Sequence, residues 1–132
     1  MEEPLYLEVI YAKEEKFMIQ FNKTLVTDDE LPWETVDPKI KRKIMAYNND
    51  LMLVKVAFEQ GGVGAIHKHS HLQISYVASG VFELTIGGES KLLKEGDVYF
   101  VPSDVLHGAV CIEEGVLIDV FNPMREDFVK AT

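Results

Sequence analysis

Short β-type runs at fairly even spacing constrain this chain more than any other feature of its sequence. Runs such as ISYVA, VFELTI and VYFV are separated by turn residues at Ser79-Gly80, at Gly87-Gly88 and in the segment KEGD. Runs of this length, bounded by glycine and acidic residues, are typical of strands joined by tight turns. Only the stretch PMREDFVK near the C-terminus favours a helix. The pattern predicts an all-β fold, an antiparallel sandwich or small barrel, with a short C-terminal helical segment.

The first half of the chain adds four runs of the same kind. LYLEVIY, from Leu5, and FMIQF, from Phe17, are rich in the β-branched and aromatic residues that favour strands. KRKIMAY and LMLVKVAF flank the turn residues Asn48 to Asp50, so they predict a hairpin. In LMLVKVAF the alternate apolar residues that start at Met52 share one face, and this face is expected to lie in the core.

Size and charge exclude several classes of protein. The 132 residues, of which 47% are hydrophobic, suit one compact domain over residues 1–132 with a single core. The net charge of −9 repels nucleic acid and anionic membranes, so neither is an expected partner. The N-terminal MEEPLYLEVIY has acidic residues where a secretory signal carries Lys or Arg. No apolar run approaches the ~18 residues that a membrane span needs, so we expect a cytoplasmic protein.

Cysteine usage and sheet edges bear on assembly. The single cysteine, Cys111, cannot form an internal disulfide, so stability has to come from packing within the chain or against a partner subunit. A small sandwich also has sheet edges that need to be covered. We therefore expect a homodimer, and whether LYLEVIY adds a strand to a neighbouring subunit is left open.

Three of the four histidines lie within five residues, in the stretch HKHSH. Residues two apart on a strand point to the same side, with Cα atoms ~6–7 Å apart, so His67 and His69 can direct both rings to one point. This geometry suits a metal ion, although an H-x-H pair alone is a weak signal because most such pairs have no ligand role. His71 is expected to be a solvent-facing loop residue, with a contact to the ligands or to a substrate as the alternative.

The residues around these histidines resemble the first motif of the cupin superfamily, G-x5-H-x-H-x3-4-E-x6-G. The match covers residues 61–80 through Gly61, His67, His69, Gln73 and Gly80, with Gln73 in place of the usual Glu. The resemblance implies a double-stranded β-helix, or jelly-roll barrel.

Residues 96–111 resemble the second cupin motif, G-x5-P-x-G-x2-H-x3-N. The matching positions are Gly96, Pro102, Asp104, His107 and Cys111, with Asp104 in place of Gly and Cys111 in place of Asn. In cupins the two motifs supply facing strands, so the resemblance implies that His107 lies beside the first two histidines.

The resemblance implies one divalent transition-metal ion per chain, Ni, Zn, Mn or Fe, bound by His67, His69, Gln73 and His107. Gln73 changes the chemistry of this set, because three neutral imidazoles and an amide oxygen leave the ion its full positive charge, which a Glu would halve. The site would be a stronger Lewis acid and would attract anions. It also departs from the two-histidine, one-carboxylate set of non-haem iron oxygenases, which weakens a dioxygenase interpretation.

A narrower resemblance covers the chain from about Leu31 to Val129. The segment GVLIDVFNPMREDF, together with Gln73 and the upstream LPWE and KRKIM, resembles the KdgF family of pectin and alginate degradation proteins. These are single-domain cupins, and the resemblance implies an isomerase-type enzyme with a small anionic sugar as substrate. It would open 4,5-unsaturated uronate monosaccharides, the products of polysaccharide lyases, into linear keto forms.

Asp119 stands among apolar neighbours in VLIDVF and shares a face with Leu117 and Phe121. A buried acid is costly unless it is paired, so Asp119 either meets a donor such as Arg125 or has a raised pKa that suits proton transfer. A structural acid that accepts backbone hydrogen bonds is the alternative. The KdgF-like pattern D-x-F-x3-R implies that Asp119, Phe121 and Arg125 form the active-site segment.

The implied reaction assigns a role to each of these residues. Asp119 would move the protons, Arg125 would hold the substrate carboxylate in a bidentate pair, and Phe121 would pack on the sugar face and exclude water. Arg42 is a second candidate for binding the anion, although a plain surface charge is slightly favoured. Trp33 is a candidate cap for the pocket, and core packing or an interface is at least as well supported.

Two other functions stay open at this point. A binding-only cupin for a sugar acid or another anion would keep the metal and Arg125 but would have no use for a buried Asp119. A small cupin dioxygenase would need iron and oxygen and would stop without oxygen. Cupins have many functions, so the fold alone does not choose among them.

Overall fold

The computed structural model describes residues 23–129, and this part of the chain forms one eight-stranded antiparallel sheet. A 3₁₀ turn at Asp28–Glu30 comes first, and a four-residue helix, α1, closes the segment at Glu126–Val129. The predicted strands at Leu5 and Phe17 lie outside the described residues. No helix in residues 23–129 is long and apolar enough to cross a membrane. The strands are β1 (Glu34–Asp37), β2 (Ile40–Tyr47), β3 (Met52–Phe58), β4 (Val63–His67), β5 (Leu72–Ile86), β6 (Glu89–Lys94), β7 (Val98–Val101) and β8 (His107–Asn122).

Two long strands, β5 and β8, organise the sheet. The strand order is β1-β2-β3-β8-β5-β6, with β4 added to β8 and β7 added to β5. The first part of β8 pairs with β4 and the last part pairs with β3, while β5 accompanies β8 along nearly its whole length. Each long strand thus belongs to both halves of the sheet, which curves so that its two halves enclose a core. The prediction of an all-β antiparallel fold with a short C-terminal helix is confirmed.

The bend of the long strands depends on two glycines. The pairing of β5 with β8 is irregular around Ser79 and Val81, and Gly80 between them has a φ of 85°. A Cβ on Gly80 would lie 2.6 Å from a backbone oxygen, and one on Gly115 would lie 2.1 Å from another. The two backbones approach too closely for any side chain there.

The predicted turn at Ser79-Gly80 is therefore wrong, because these residues form a β-bulge inside β5. A tight turn and a bulge both use a glycine with positive φ, so the local sequence does not separate them. The predicted hairpin at Asn48 to Asp50 is confirmed, since β2 and β3 pair directly across it.

The inner face of the sheet holds the core. Met52, Val54 and Phe58 are buried, which confirms the alternation predicted for β3. The rings of Phe58 and Phe82 pack edge to face at 5.2 Å and join the two halves of the sheet. Cys111 is a buried free thiol within the same cluster.

The outer side of β3, β8, β5 and β7 carries a continuous apolar surface. Across neighbouring strands Ile74 pairs with Phe100 and with Val120, and Tyr76 pairs with Val98 and Ile118. Most of these side chains are exposed, Val98 and Phe100 by 53% each. We call this surface the outer apolar face; it consists of Leu53, Leu72, Ile74, Tyr76, Val98, Phe100, Ile118 and Val120.

Candidate metal centre and pocket

Three histidines meet at one end of the curved sheet. His67 ends β4 and pairs directly with His107 at the start of β8, and their ring centroids lie 4.4 Å apart. The His69 ring lies 4.7 Å from that of His107 and 5.5 Å from that of His67. One nitrogen from each ring falls within 4.8 Å of the other two, a spacing that could hold one metal ion. The expected placement of His67 and His69 on one strand is wrong, because β4 ends at His67 and His69 lies in the following loop.

The hydrogen bonds of the three rings prepare them to bind a cation. In each ring Nδ1 lies within hydrogen-bonding distance of a backbone carbonyl: Ala65 for His67, His71 for His69 and Val105 for His107. A carbonyl can only accept, so each Nδ1 carries the proton and each Nε2 presents a lone pair. Among the described residues the buried Nε2 of His107 has no hydrogen-bond partner. Such an arrangement fits a ligand set for a transition metal.

Burial favours the neutral form that a metal requires in the rings of His69 and His107. Burial lowers the pKa of His69, and the positive charge of Arg125 lowers it further. Burial also lowers the pKa of His107, with smaller contributions from the neighbouring rings of His67 and His69. Neutral imidazoles keep their lone pairs at neutral pH.

Gln73 supplies an oxygen next to the three rings. It is buried on the inner face of β5, and its Oε1 lies 3.1 Å from Nε2 of His69. Its Nε2 donates to Oγ of Ser75 at 3.0 Å. Two acceptors that face each other at this distance repel unless a cation or a proton lies between them. The position of the Gln73 oxygen therefore also fits a metal ligand.

Asp119 lies on the inner face of β8, opposite Ser75 on β5. Its Oδ1 accepts a hydrogen bond of 2.6 Å from the Ser75 hydroxyl. Burial raises the pKa of Asp119 to about 6, although the Ser75 hydrogen bond and the charge of Arg125 oppose the increase. Of the alternatives that the sequence left open, the structure supports the raised pKa, and the hydrogen-bond donor is the side chain of Ser75. A carboxyl group with this pKa can exchange a proton near neutral pH.

Two arginines bring positive charge to the same pocket. Arg125 packs on the Phe121 and Phe128 rings at 5.2 and 4.2 Å, and its Nε and Nη2 pair with Asp127. Arg42 also packs on the Phe128 ring, 3.9 Å from its centroid, and its Nε donates to Glu34. Neither guanidinium uses all five of its donors in these contacts. Arg42 lies in the pocket lining and not on an open surface, contrary to the interpretation that the sequence slightly favoured.

The pocket has a volume of about 170 Å³ and combines apolar walls with these polar groups. Trp33 is not among the residues that line it; its ring packs on Lys41 and Lys43, whose amino groups lie 4.7 and 4.8 Å from the ring centroid. The polar and aromatic lining that bears on chemistry is Arg42, His67, Gln73, His107, Asp119, Phe121 and Arg125.

Three residues matter more to the site than the sequence suggested. His71 is only partly exposed, its ring lies 5.5 Å from that of His69, and its carbonyl accepts from that ring, so the solvent-facing prediction is wrong. Ser75 joins Gln73 to Asp119, and its signal was its position two residues after Gln73 on the same strand face. Arg42 alternates with Ile40 and Ile44 along β2, and this alternation is the signal that could have placed it on the inner face.

Comparison with known proteins agrees with the family that the sequence motifs resemble. The family model described as "Cupin domain" matches residues 54–121. The chain is 52% identical over 104 residues to the pectin degradation protein KdgF of Dickeya dadantii (strain 3937), a match that covers 77% of this chain and 94% of that protein.

Two solved structures extend this similarity to three dimensions. The structure of KdgF from Halomonas sp. matches with a TM-score of 0.78 and 41% identity, over 81% of this chain and 99% of that one. An RmlC-like cupin from Shewanella frigidimarina matches with a TM-score of 0.80 and 41% identity, over 83% of this chain and 98% of that one. The match to both supports the jelly-roll architecture inferred from the sequence.

Proposed function

Because this chain belongs to the cupin family and, within it, to the KdgF proteins, we propose that it acts in the breakdown of pectin-type uronic-acid polysaccharides. The proposed reaction is the ring opening and ketonisation of a 4,5-unsaturated uronate, an isomerisation in which nothing is added or removed. The observation that carries this proposal is that Asp119, a carboxylic acid with a pKa of about 6, shares one pocket with two guanidinium groups and with His67 and His107 of the three-histidine cluster.

His67, His69, His107 and the amide oxygen of Gln73 would hold one divalent transition-metal ion in this pocket. When bound, such an ion stabilises negative charge that develops on a nearby substrate oxygen. The neutral ligand set supports that role, because no ligand carboxylate offsets the charge of the ion. The same neutrality argues against an iron oxygenase of the two-histidine, one-carboxylate kind.

Asp119 is the proposed proton carrier. Ring opening needs a base for the anomeric hydroxyl proton as the bond between the anomeric carbon and the ring oxygen breaks. The enol that results then needs an acid to deliver a proton to the neighbouring carbon, which gives the keto form. One carboxyl group with a pKa of about 6 can do both in sequence, since it is poised near neutral pH.

Arg42 and Arg125 are the proposed partners of the substrate carboxylate. The net charge of the chain is −9, so an anionic substrate needs a locally positive site, and these two residues supply it. Arg125 pairs with Asp127 through its Nε edge, which leaves the two-nitrogen end of the fork for a bidentate contact. Phe121, buried beside His69, would pack on the sugar and exclude water.

The pocket size supports a monosaccharide over a polymer. Its volume of about 170 Å³ is below the ~300–1,000 Å³ of pockets for drug-sized ligands. A binding-only cupin is the remaining alternative, but such a protein gains nothing from a buried acid that costs stability in its ionised form.

The direct experiment mixes the protein with a lyase-generated 4,5-unsaturated uronate monosaccharide and follows the absorbance of the conjugated double bond. The proposal predicts that the absorbance falls and that the linear keto product appears by NMR, with and without oxygen present. Binding without any change in absorbance would instead establish a binding protein. Turnover only in the presence of oxygen would establish a dioxygenase.

The outer apolar face supports a homodimer in which two copies meet through it. At the border of this face lie Lys55 and Lys43, and both are paired with Asp28. The eight residues of the face itself are uncharged, so two copies of an acidic chain can meet through it without bringing like charges together. Exposed apolar patches of this extent mark interfaces in soluble proteins.

Sedimentation velocity tests the dimer. The wild-type chain is expected to sediment as a dimer, and Ile74→Glu should convert it to a monomer because the charge lies in the centre of the face. Leu92→Glu is the control, since Leu92 is an equally exposed apolar residue on β6, outside this face. A monomeric wild-type chain would contradict the proposal.

A further inference from the structure

A chain of two hydrogen bonds links the proton carrier to the metal ligand set. The Ser75 hydroxyl donates to Asp119 at 2.6 Å, and the Gln73 amide nitrogen donates to the same hydroxyl oxygen at 3.0 Å. Ser75 and Asp119 are direct partners in the pairing of β5 with β8, so the backbone holds the two side chains together. Ser75 is only 2% exposed, so its hydroxyl lies in the protein interior.

The direction of these bonds determines which end of Gln73 faces the histidines. An ionised carboxylate only accepts, so the one hydroxyl hydrogen of Ser75 goes to Asp119. The Ser75 oxygen is then left to accept, and it takes the amide NH2 of Gln73. Oε1 of Gln73 must point the other way, where it lies 3.1 Å from Nε2 of His69.

The opposite orientation of the amide is a real competitor. If the amide turned over, its NH2 would donate to the lone pair on Nε2 of His69, a satisfied neutral hydrogen bond. That orientation removes an oxygen ligand and blocks a nitrogen ligand at the same time. The hydroxyl of Ser75 disfavours it, because a turned amide would bring two acceptors together there.

We propose that Ser75 is a positioning residue, which holds the amide oxygen of Gln73 toward the three imidazoles and so couples the metal site to Asp119. The inference rests on the proposed function only where it takes Asp119 as the proton carrier. Groups that orient metal ligands typically change metal affinity by ~10- to 100-fold when they are removed.

Titration with Co²⁺ alone, in competition with a chelator, tests the proposal without any turnover. Ser75→Ala should weaken Co²⁺ binding by ~10-fold or more and change the visible absorption of the bound ion, because the oxygen ligand is lost. Ser79→Ala is the matched control: Ser79 lies on the same strand, and its Oγ accepts the backbone N–H of Val116. This variant should bind Co²⁺ as the wild type does.

A double-mutant cycle with Gln73→Glu separates positioning from a general structural role. A carboxylate has two equivalent oxygens and no orientation to lose, so Ser75→Ala in the Gln73→Glu background should change Co²⁺ affinity by less than about threefold. An equal loss in both backgrounds, or no loss in the wild-type background, would overturn the proposal. If the cycle behaves as expected but the uronate is not converted, the proposed function fails and the positioning role stands.

Discussion

Asp28 and Asp119 lie on opposite sides of the same sheet, and their surroundings shift the two pKa values in opposite directions. On the outer side, Asp28 accepts hydrogen bonds from Lys55 and Lys43, and these lower its pKa. On the inner side, burial raises the pKa of Asp119 to about 6, and the hydrogen bond donated by Ser75 lowers it only in part.

The difference shows how one sheet makes a structural acid and a reactive one from the same residue type. A direct ammonium partner keeps Asp28 ionised, and it ties the 3₁₀ turn to β2 and β3. Asp119 has a neutral hydroxyl as its hydrogen-bond donor, so neither protonation state is strongly favoured near neutral pH. An acid that has to exchange protons needs the second environment.

The largest expected effect concerns the cluster of three histidines on the inner side of the sheet. Replacing His67 and His107 by Ala together should reduce bound transition metal from about one ion per chain to almost none, because two of three imidazoles are lost. Elemental analysis of protein purified without added metal provides the measurement. Asp28→Asn, on the outer side, is the control and should keep its metal. Equal metal content in the double variant and the wild type would show that His67 and His107 do not bind the metal.

Gln73→Glu would add a second carboxylate, besides Asp119, on the inner side of the sheet, and it should change the protein less than the loss of two histidines. Gln73→Glu is expected to bind metal at least as tightly as the wild type, since a negative ligand attracts the ion. Turnover of the uronate should nevertheless fall by roughly tenfold, or ~1.4 kcal/mol, because the ligand charge offsets that of the ion. Steady-state kinetics beside a metal titration measure both quantities. Unchanged turnover would show that charge at the metal is unimportant.

A further difference concerns stability, and the two acids should differ in its sign. The folded pKa of Asp119 is raised from 3.8 to about 6, so its contribution is fully present below pH ~4 and is lost as the pH rises through ~6. In protein freed of metal, Asp119→Asn should therefore be more stable than the wild type at pH 7, by up to ~3 kcal/mol. The gain should vanish near pH 4.

Asp28→Asn should instead destabilise the chain at pH 7. The pKa of Asp28 is lowered, so its stabilisation is present above its ordinary value and is lost as the pH falls below it. Urea unfolding of both variants at pH 4 and pH 7 makes the comparison. Two changes of the same sign at pH 7 would show that the environments do not differ as described.

The sequence predicted the parts of the fold that depend on alternation and on turn residues. The β2–β3 hairpin follows from Asn48 to Asp50 and the inward apolar residues of β3, and both are local signals. The bulge at Gly80 was mistaken for a turn, because only the approach of Gly115 on a distant strand distinguishes the two. The resemblance to the cupin motifs implied that His107 lies near His67, while the loop position of His69 needed the structure.

Local sequence patterns did not predict the hydrogen bonds of the pocket. The orientation of Gln73 depends on Ser75 and on Asp119, which lies 44 residues from Ser75 in the chain, and no spacing rule encodes it. The sequence made Trp33 a candidate cap for the pocket, because a lone Trp can cap a pocket, pack in a core or lie in an interface. Its contact with Lys41 and Lys43 follows from the register of β1 on β2, in which Glu34 pairs with Arg42, and the sequence alone did not supply this register.

The central claim is that Asp119 moves protons, and one kinetic comparison tests it most directly. Asp119→Asn keeps the size and shape of the side chain but cannot exchange a proton. With metal content matched to the wild type, its kcat on a 4,5-unsaturated uronate should fall by ~10²-fold or more while KM changes little. If the variant turns over the uronate as fast as the wild type, Asp119 is not the acid and base of this site.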